Sequence, residues 1–129
     1  MDAKTNRCPC GSNRNYADCC RRYLDGGEAA PTAELLMRSR YTAYTLDRED
    51  YLLATRHPSR CPASIAPASD PHRKWLGLTV KRHEQTGLDQ AVVEFVARYK
   101  IGGRAQRLHE ISRFVCEGGQ WFYVDGDVG

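Results

Sequence analysis

No stretch of this chain approaches the roughly 20 consecutive apolar residues that a bilayer-spanning helix needs. Residues 1–10 lack the apolar block of a secretory leader. These absences argue against a helical membrane protein and predict a cytoplasmic one. The short motifs of common catalysis are also missing. There is no P-loop, no dinucleotide glycine fingerprint, no HExxH and no GxSxG. No nucleophile can be matched with a base from sequence alone, so catalytic residues are left unassigned. Internal repeats and low-complexity tracts are lacking, which argues against solenoid and disordered classes. Excess charge is scarce as well, a formal +3 in 129 residues. With 41% hydrophobic and 27% charged residues, the composition is that of one ordinary globular chain.

What the chain does have is six cysteines, four of them in a tight group: Cys8, Cys10, Cys19 and Cys20. A disulfide framework suits a cytosolic chain poorly. Adjacent Cα atoms lie about 3.8 Å apart, under the roughly 4.4 Å lower limit of usual disulfide geometry, so Cys19 and Cys20 do not bridge each other. Two close pairs separated by a short loop supply the four soft ligands that a tetrahedral Zn²⁺ requires. Redox thiols and an iron–sulfur cluster are the competing readings. Gly11 and Asn13 tolerate positive φ, so the chain can turn around a metal. Ser12 is expected to cap a helix in which Tyr16, Cys19, Cys20 and Tyr23 share one face. Cys61 and Cys116 have no partner pattern; Cys116 reads as a small core residue.

The positive charge is concentrated here. Residues 1–24 hold five basic residues (Lys4, Arg7, Arg14, Arg21, Arg22) against Asp2 and Asp18, which accounts for the whole excess. Four thiolates on one Zn²⁺ contribute about −2, so a loaded tip is nearly neutral and nucleic-acid binding is not favoured.

Residues 1–25 thus form a cysteine module and residues 26–31 a short linker. Residues 32–129 form the main domain. Thr32 caps a helix reaching about Leu46, and Asp47 caps a second that ends by His57, ahead of Pro58. Residues 58–73, with four prolines, read as a loop covering something beneath it. Four strands follow at 75–84, 90–101, 107–117 and 120–125, separated by the turn pairs Thr86-Gly87, Gly102-Gly103 and Gly118-Gly119. In the second strand Val93, Phe95, Ala97 and Tyr99 fall on one face and Glu94, Arg98 and Lys100 on the other, with Val96 as the exception. Helices first and an antiparallel meander after make an α+β fold.

Cys8-Pro9-Cys10-Gly11-Ser12, Tyr16 and Cys19-Cys20 resemble the SEC-C motif, which binds zinc and often serves in protein recognition. Ala17 and Asp18 stand where the motif often has lysine. The resemblance widens to the bacterial YchJ family through Leu36-Met37-Arg38-Ser39-Arg40-Tyr41-Thr42-Ala43-Tyr44, Tyr51-Leu52 and Thr55-Arg56-His57-Pro58. Residues 109–114 (HEISRF) and 121–126 (WFYVDG) continue it. It implies Cys8, Cys10, Cys19 and Cys20 as ligands of one structural Zn²⁺. It also implies a cone-shaped domain similar to nuclear transport factor two, with helices packed on a curved antiparallel sheet. Such a fold hosts enzymes and plain binding modules alike, so it names no reaction.

A cone has an inside, and the candidate pocket residues are Arg40, Tyr44, Trp75, Glu110 and Trp121, with Arg38, Tyr41, Ser112 and Tyr123 as neighbours. His109 points away from Glu110, as adjacent strand residues must, and reads as a surface residue. Glu110 is expected to pair with Arg38 or Arg40 and hold helix to sheet; a pocket base is the alternative reading. Three functions stand open, in this order: a zinc-stabilised module for an unidentified protein partner, a small-molecule binder or enzyme using the cone, and contact with ribosome or nucleic acid through the basic tip. The resemblance also allows a homodimer through the open sheet face.

Overall fold

In the computed structural model the described residues are 8–12, 14–46, 48–57 and 73–128. The expectations for Asn13, for the cap at Asp47, for the proline-rich loop and for Cys61 lie outside them. After a 3₁₀ turn at Tyr16–Asp18 come helices α1 (Arg21–Leu24), α2 (Ala33–Thr45) and α3 (Glu49–Ala54). Strands β1 (Arg73–Gly87), β2 (Gln90–Ile101), β3 (Arg104–Glu117) and β4 (Gln120–Val128) follow and pair in chain order as one antiparallel sheet. The order of elements matches the sequence reading; β1, β3 and β4 are longer than expected.

Local chemistry sets the boundaries. Thr32 caps α2 by accepting a hydrogen bond from the Leu35 N–H at 3.1 Å. Gly102-Gly103 and Gly118-Gly119 have positive φ at both positions, as the tight two-residue hairpin turn requires. The first hairpin turns at Leu88-Asp89, because Gly87 still pairs with Gln90; the expected turn at Thr86-Gly87 lies one step too early. Register shifts in β1 and one between β3 and β4 bend the sheet. Residues 55–57 then line the outer edge of β4, where His57 N donates to the Tyr123 carbonyl at 2.8 Å and Tyr123 N to the Thr55 carbonyl at 2.9 Å. This covers an edge that would otherwise offer unpaired backbone groups.

Helix α2 lies in the bend and touches β1, β2 and β4. It is buried on nearly every side: Leu36, Met37, Ser39, Arg40, Tyr41, Thr42 and Ala43 are all inside. It meets Ala91, Val93, Phe95 and Ala97 of β2 and Phe114 of β3 in one continuous core. On the outer face of the sheet His109 bonds Glu94 at 2.6 Å, and Arg113 bonds Asp125 and Asp127. Val96 also points outward yet is only 3% exposed. It lies in a shallow groove lined by Lys81, Glu94, Arg107 and His109, and long polar side chains commonly shield apolar surface in this way. Cys116 is half-buried at the end of β3 rather than in the core.

Candidate metal centre and the adjoining cavity

The four cysteines converge. Every pair of their sulfurs lies within 4.8 Å, and all four residues are buried. The Cys10–Cys19 and Cys19–Cys20 sulfur separations are 3.7 Å and 3.9 Å. Four sulfurs about 2.3 Å from a shared ion would sit about 3.8 Å apart at the edges of a tetrahedron. The donor set therefore suits one tetrahedral metal ion.

The local chain is shaped for this. Cys8 N bonds the Arg14 carbonyl at 2.8 Å and closes the first turn. Gly11 has φ +81°, and a Cβ there would lie 2.9 Å from the Leu78 carbonyl oxygen of β1, so no other residue fits without displacing a strand. The single helix expected from Ser12 onward is not formed. The 3₁₀ turn stops at Asp18, Cys19 leaves helical geometry at φ −124°, ψ −111°, and α1 begins at Arg21. Adjacent cysteines on one regular helix point about 100° apart, and the break lets both reach one centre. Ser12 does not cap a helix; its hydroxyl lies 3.2 Å from the Cys19 sulfur.

The centre is not an exposed tip. Thr42 of α2 donates its hydroxyl to the Cys20 sulfur at 3.3 Å and lies 3.6 Å from that of Cys8. Arg38 Nη1 donates to the Cys10 carbonyl at 2.8 Å. Without a metal the thiols share protons: donation from Cys10 and Cys20 holds Cys8 far below the ordinary thiol range, while Cys10, Cys8 and burial drive Cys20 far above it. Four thiolates coexist in such a space only around a cation, so metal uptake must release protons. Thr42→Val keeps the shape and removes the hydroxyl. We expect it to lower metal affinity about 10- to 100-fold, the usual effect of losing a partner of a ligand. Competition against a chromogenic chelator would read this, and an unchanged affinity would show that the hydroxyl does not tune the sulfurs.

On another side of α2 lies a half-open cavity of about 160 Å³. The structure places Arg40, Tyr44, Trp75 and Glu110 around it, with Tyr123 and Ser112. Trp121 is elsewhere, lining a separate cleft with Tyr23 and Tyr51. It follows Gln120 at the β4 hairpin, too far along the strand to reach the cavity. The expected pairing of Glu110 with an arginine does not form. Arg38 bonds Glu34 at 3.1 Å and the cysteine loop. Arg40 Nη1 donates to the Leu52 carbonyl at 2.9 Å and to Thr55 Oγ1 at 2.7 Å, which ties α2 to α3. Glu110 Oε2 instead accepts from Ser112 Oγ at 2.7 Å and from the Tyr123 hydroxyl at 2.9 Å.

Tyr123 stands between the two charges, with the Arg40 guanidinium 4.7 Å from its ring centre. Burial, and then Glu110, raises the Tyr123 pKa, so the phenol remains a donor. Gly126 on β4 makes room for this arrangement, because a Cβ there would overlap the Glu110 carboxylate. The link through Tyr123 could not be read from the sequence, since it depends on Tyr123 lying opposite Phe114 across a register shift.

Comparison with known proteins agrees with this architecture. The profile of the SEC-C motif matches residues 5–22. That of the YchJ middle NTF2-like domain matches residues 32–126. A UPF0225 protein of Methylibium petroleiphilum is 55% identical over 121 residues, covering 94% of this chain and 88% of that one. The solution structure of a SEC-C motif containing protein from Rhodopseudomonas palustris superposes with a TM-score of 0.86 at 35% identity, over 95% of this chain and 98% of the other. A crystal structure of a SEC-C motif containing protein from Psychrobacter arcticus gives 0.83 at 30% identity, over 100% and 86%. With its motif and nearly all of its main domain matched, the chain belongs to the YchJ family.

Proposed function

We propose that the bound metal is zinc, that its role is structural, and that the protein works by binding a small molecule in the cavity beneath α2. Four buried thiolates at tetrahedral spacing are the donor set of a closed structural zinc site, with no position left for a substrate. One observation carries the functional part: the metal centre and the cavity share a helix. Thr42 and Arg38 turn toward the cysteines, while Arg40, Tyr41 and Tyr44 turn into the cavity. A metal that fixes α2 therefore fixes one wall of the cavity.

Native mass spectrometry of the freshly purified chain tests both parts. We expect one zinc per chain, removed by a strong chelator, together with any small molecule retained in the cavity. A chain without metal whose thiols are intact and reactive would sink the zinc assignment. A cavity occupant that survives chelation would separate it from the metal.

A protein partner is the second reading, and it is supported by what remains exposed around the centre. Arg14, Ala17, Asp18, Arg21 and Arg22 face solvent. Their charge is partly answered: Arg22 pairs with Glu28 at 2.9 Å and Arg21 lies 3.8 Å from Asp25. This mixed surface suits a protein better than the uniformly basic face that nucleic acid calls for. Affinity capture with Arg21→Ala/Arg22→Ala, which leaves the cysteines intact, separates this face from the fold.

A further inference from the structure

Binding in general does not require a buried cation, and this cavity has one. Arg40 is 2% exposed. Among the described residues no carboxylate pairs with it. Nη1 serves Leu52 and Thr55, and one face of the guanidinium rests on Tyr123. The Nε and Nη2 N–H groups make no hydrogen bond to the described residues. Burying a guanidinium without an anion is costly, because its hydration is lost and no opposite charge replaces it. The other charged group of the cavity, Glu110, is held by Ser112 and the Tyr123 hydroxyl.

Away from these two charged groups the lining is mostly apolar, with five aromatic rings beside Met37, Ala97 and Leu108. Tyr41 meets Trp75 edge-on at 5.5 Å, and Tyr44 lies 5.8 Å from the same indole. Its volume, about 160 Å³, is close to the roughly 150 Å³ that admits a benzene ring in an apolar protein cavity. Flat walls at this size accept one ring, and an anion completes the fork of donors on Arg40.

We propose that the cavity binds a single-ring aromatic monocarboxylate, its carboxylate on the Nε and Nη2 side of Arg40 and its ring against Tyr41, Tyr44 and Trp75. The proposal rests on the reading of the cavity as a binding site and names the ligand class. Glu110 adds selectivity, because its own charge repels a second negative group on the ligand.

The zinc-loaded full chain would be titrated with benzoate and with benzamide, its neutral counterpart, following the Trp75 and Trp121 indole resonances by NMR. Benzoate is expected to move Trp75 and not Trp121, and to bind about 10-fold or more tighter than benzamide. Arg40→Gln is expected to bring that ratio near one, and Glu110→Gln to tighten benzoate several-fold. Equal binding of the two probes at Trp75 would overturn the carboxylate while leaving the cavity as a binding site. No shift of Trp75 with either probe would overturn both. Loss of benzoate in Glu110→Gln would overturn the placement on Arg40. Should Arg40→Gln fail to fold, the wild-type ratio of benzoate to benzamide still decides.

Discussion

Removing the zinc proposed for the four cysteines is expected to unfold far more of this protein than its N-terminal segment. Sequence alone suggests that residues 1–25 melt by themselves, because the main domain has its own core. The packing predicts otherwise. Cys10 and Cys20 are 0% and 1% exposed and belong to the same buried cluster as Leu36, Met37 and Leu52. Thr42 and Arg38 bind the cysteine loops directly, and Arg48, between α2 and α3, holds Leu24 and Asp25. Structural zinc contributes about 10–16 kcal/mol in small zinc-binding peptides, as much as the roughly 5–15 kcal/mol that holds a whole domain folded. The metal-loaded chain is therefore expected to melt in one cooperative transition, which Cys20→Ser, or chelation of the wild type, should abolish. Amide exchange protection should fall along α2 as well as at residues 8–24. Protection of α2 and the sheet that survives without metal would show that the two parts fold independently. Acid should have the same effect as chelation: protons compete with the metal for the four sulfurs, so the stability that the metal supplies is lost as pH falls.

The second large effect is expected at Phe114. Its side chain is 1% exposed, on the inner face of β3, and meets the Tyr123 ring edge-on at 5.7 Å. Phe114→Ala removes that ring from the centre of the core and leaves a cavity that the curved sheet cannot close. The expected cost is about 3–5 kcal/mol, read as a shift of the denaturant midpoint at unchanged slope. Because Phe114 also backs Tyr123, the substitution should loosen the hydroxyl contact to Glu110 and weaken any cavity ligand. A cost under about 1 kcal/mol would mean that β3 and β4 collapse onto the vacated space.

The sequence by itself determined a good deal of this protein. The elements followed from local rules: alternation in β2, paired glycines at two hairpins, and a threonine ahead of α2. The four-cysteine cluster followed from residue type and spacing, because few other roles place Cys8, Cys10, Cys19 and Cys20 so close together. Val96 was legible as an exception but not as a buried one, because the residues that share its groove, Lys81, Arg107 and His109, come from other strands.

The relations between distant residues were decided only by the tertiary structure. Arg38 and Arg40 are two positions apart on one helix, yet one serves the metal loop and the other the cavity. A helix turns about 100° per residue, and only packing says what lies in each direction. Glu110 and Arg40 have opposite charges and line the same cavity, yet a tyrosine takes the place of the ion pair. Trp121 carries the same indole as Trp75 but lines a different cleft, because its strand position sets where it can reach. Most consequential, the cysteine module reads in sequence as a separate tip. In the fold it is pressed against α2, because Thr42 and Gly11 allow an approach that no local pattern reveals.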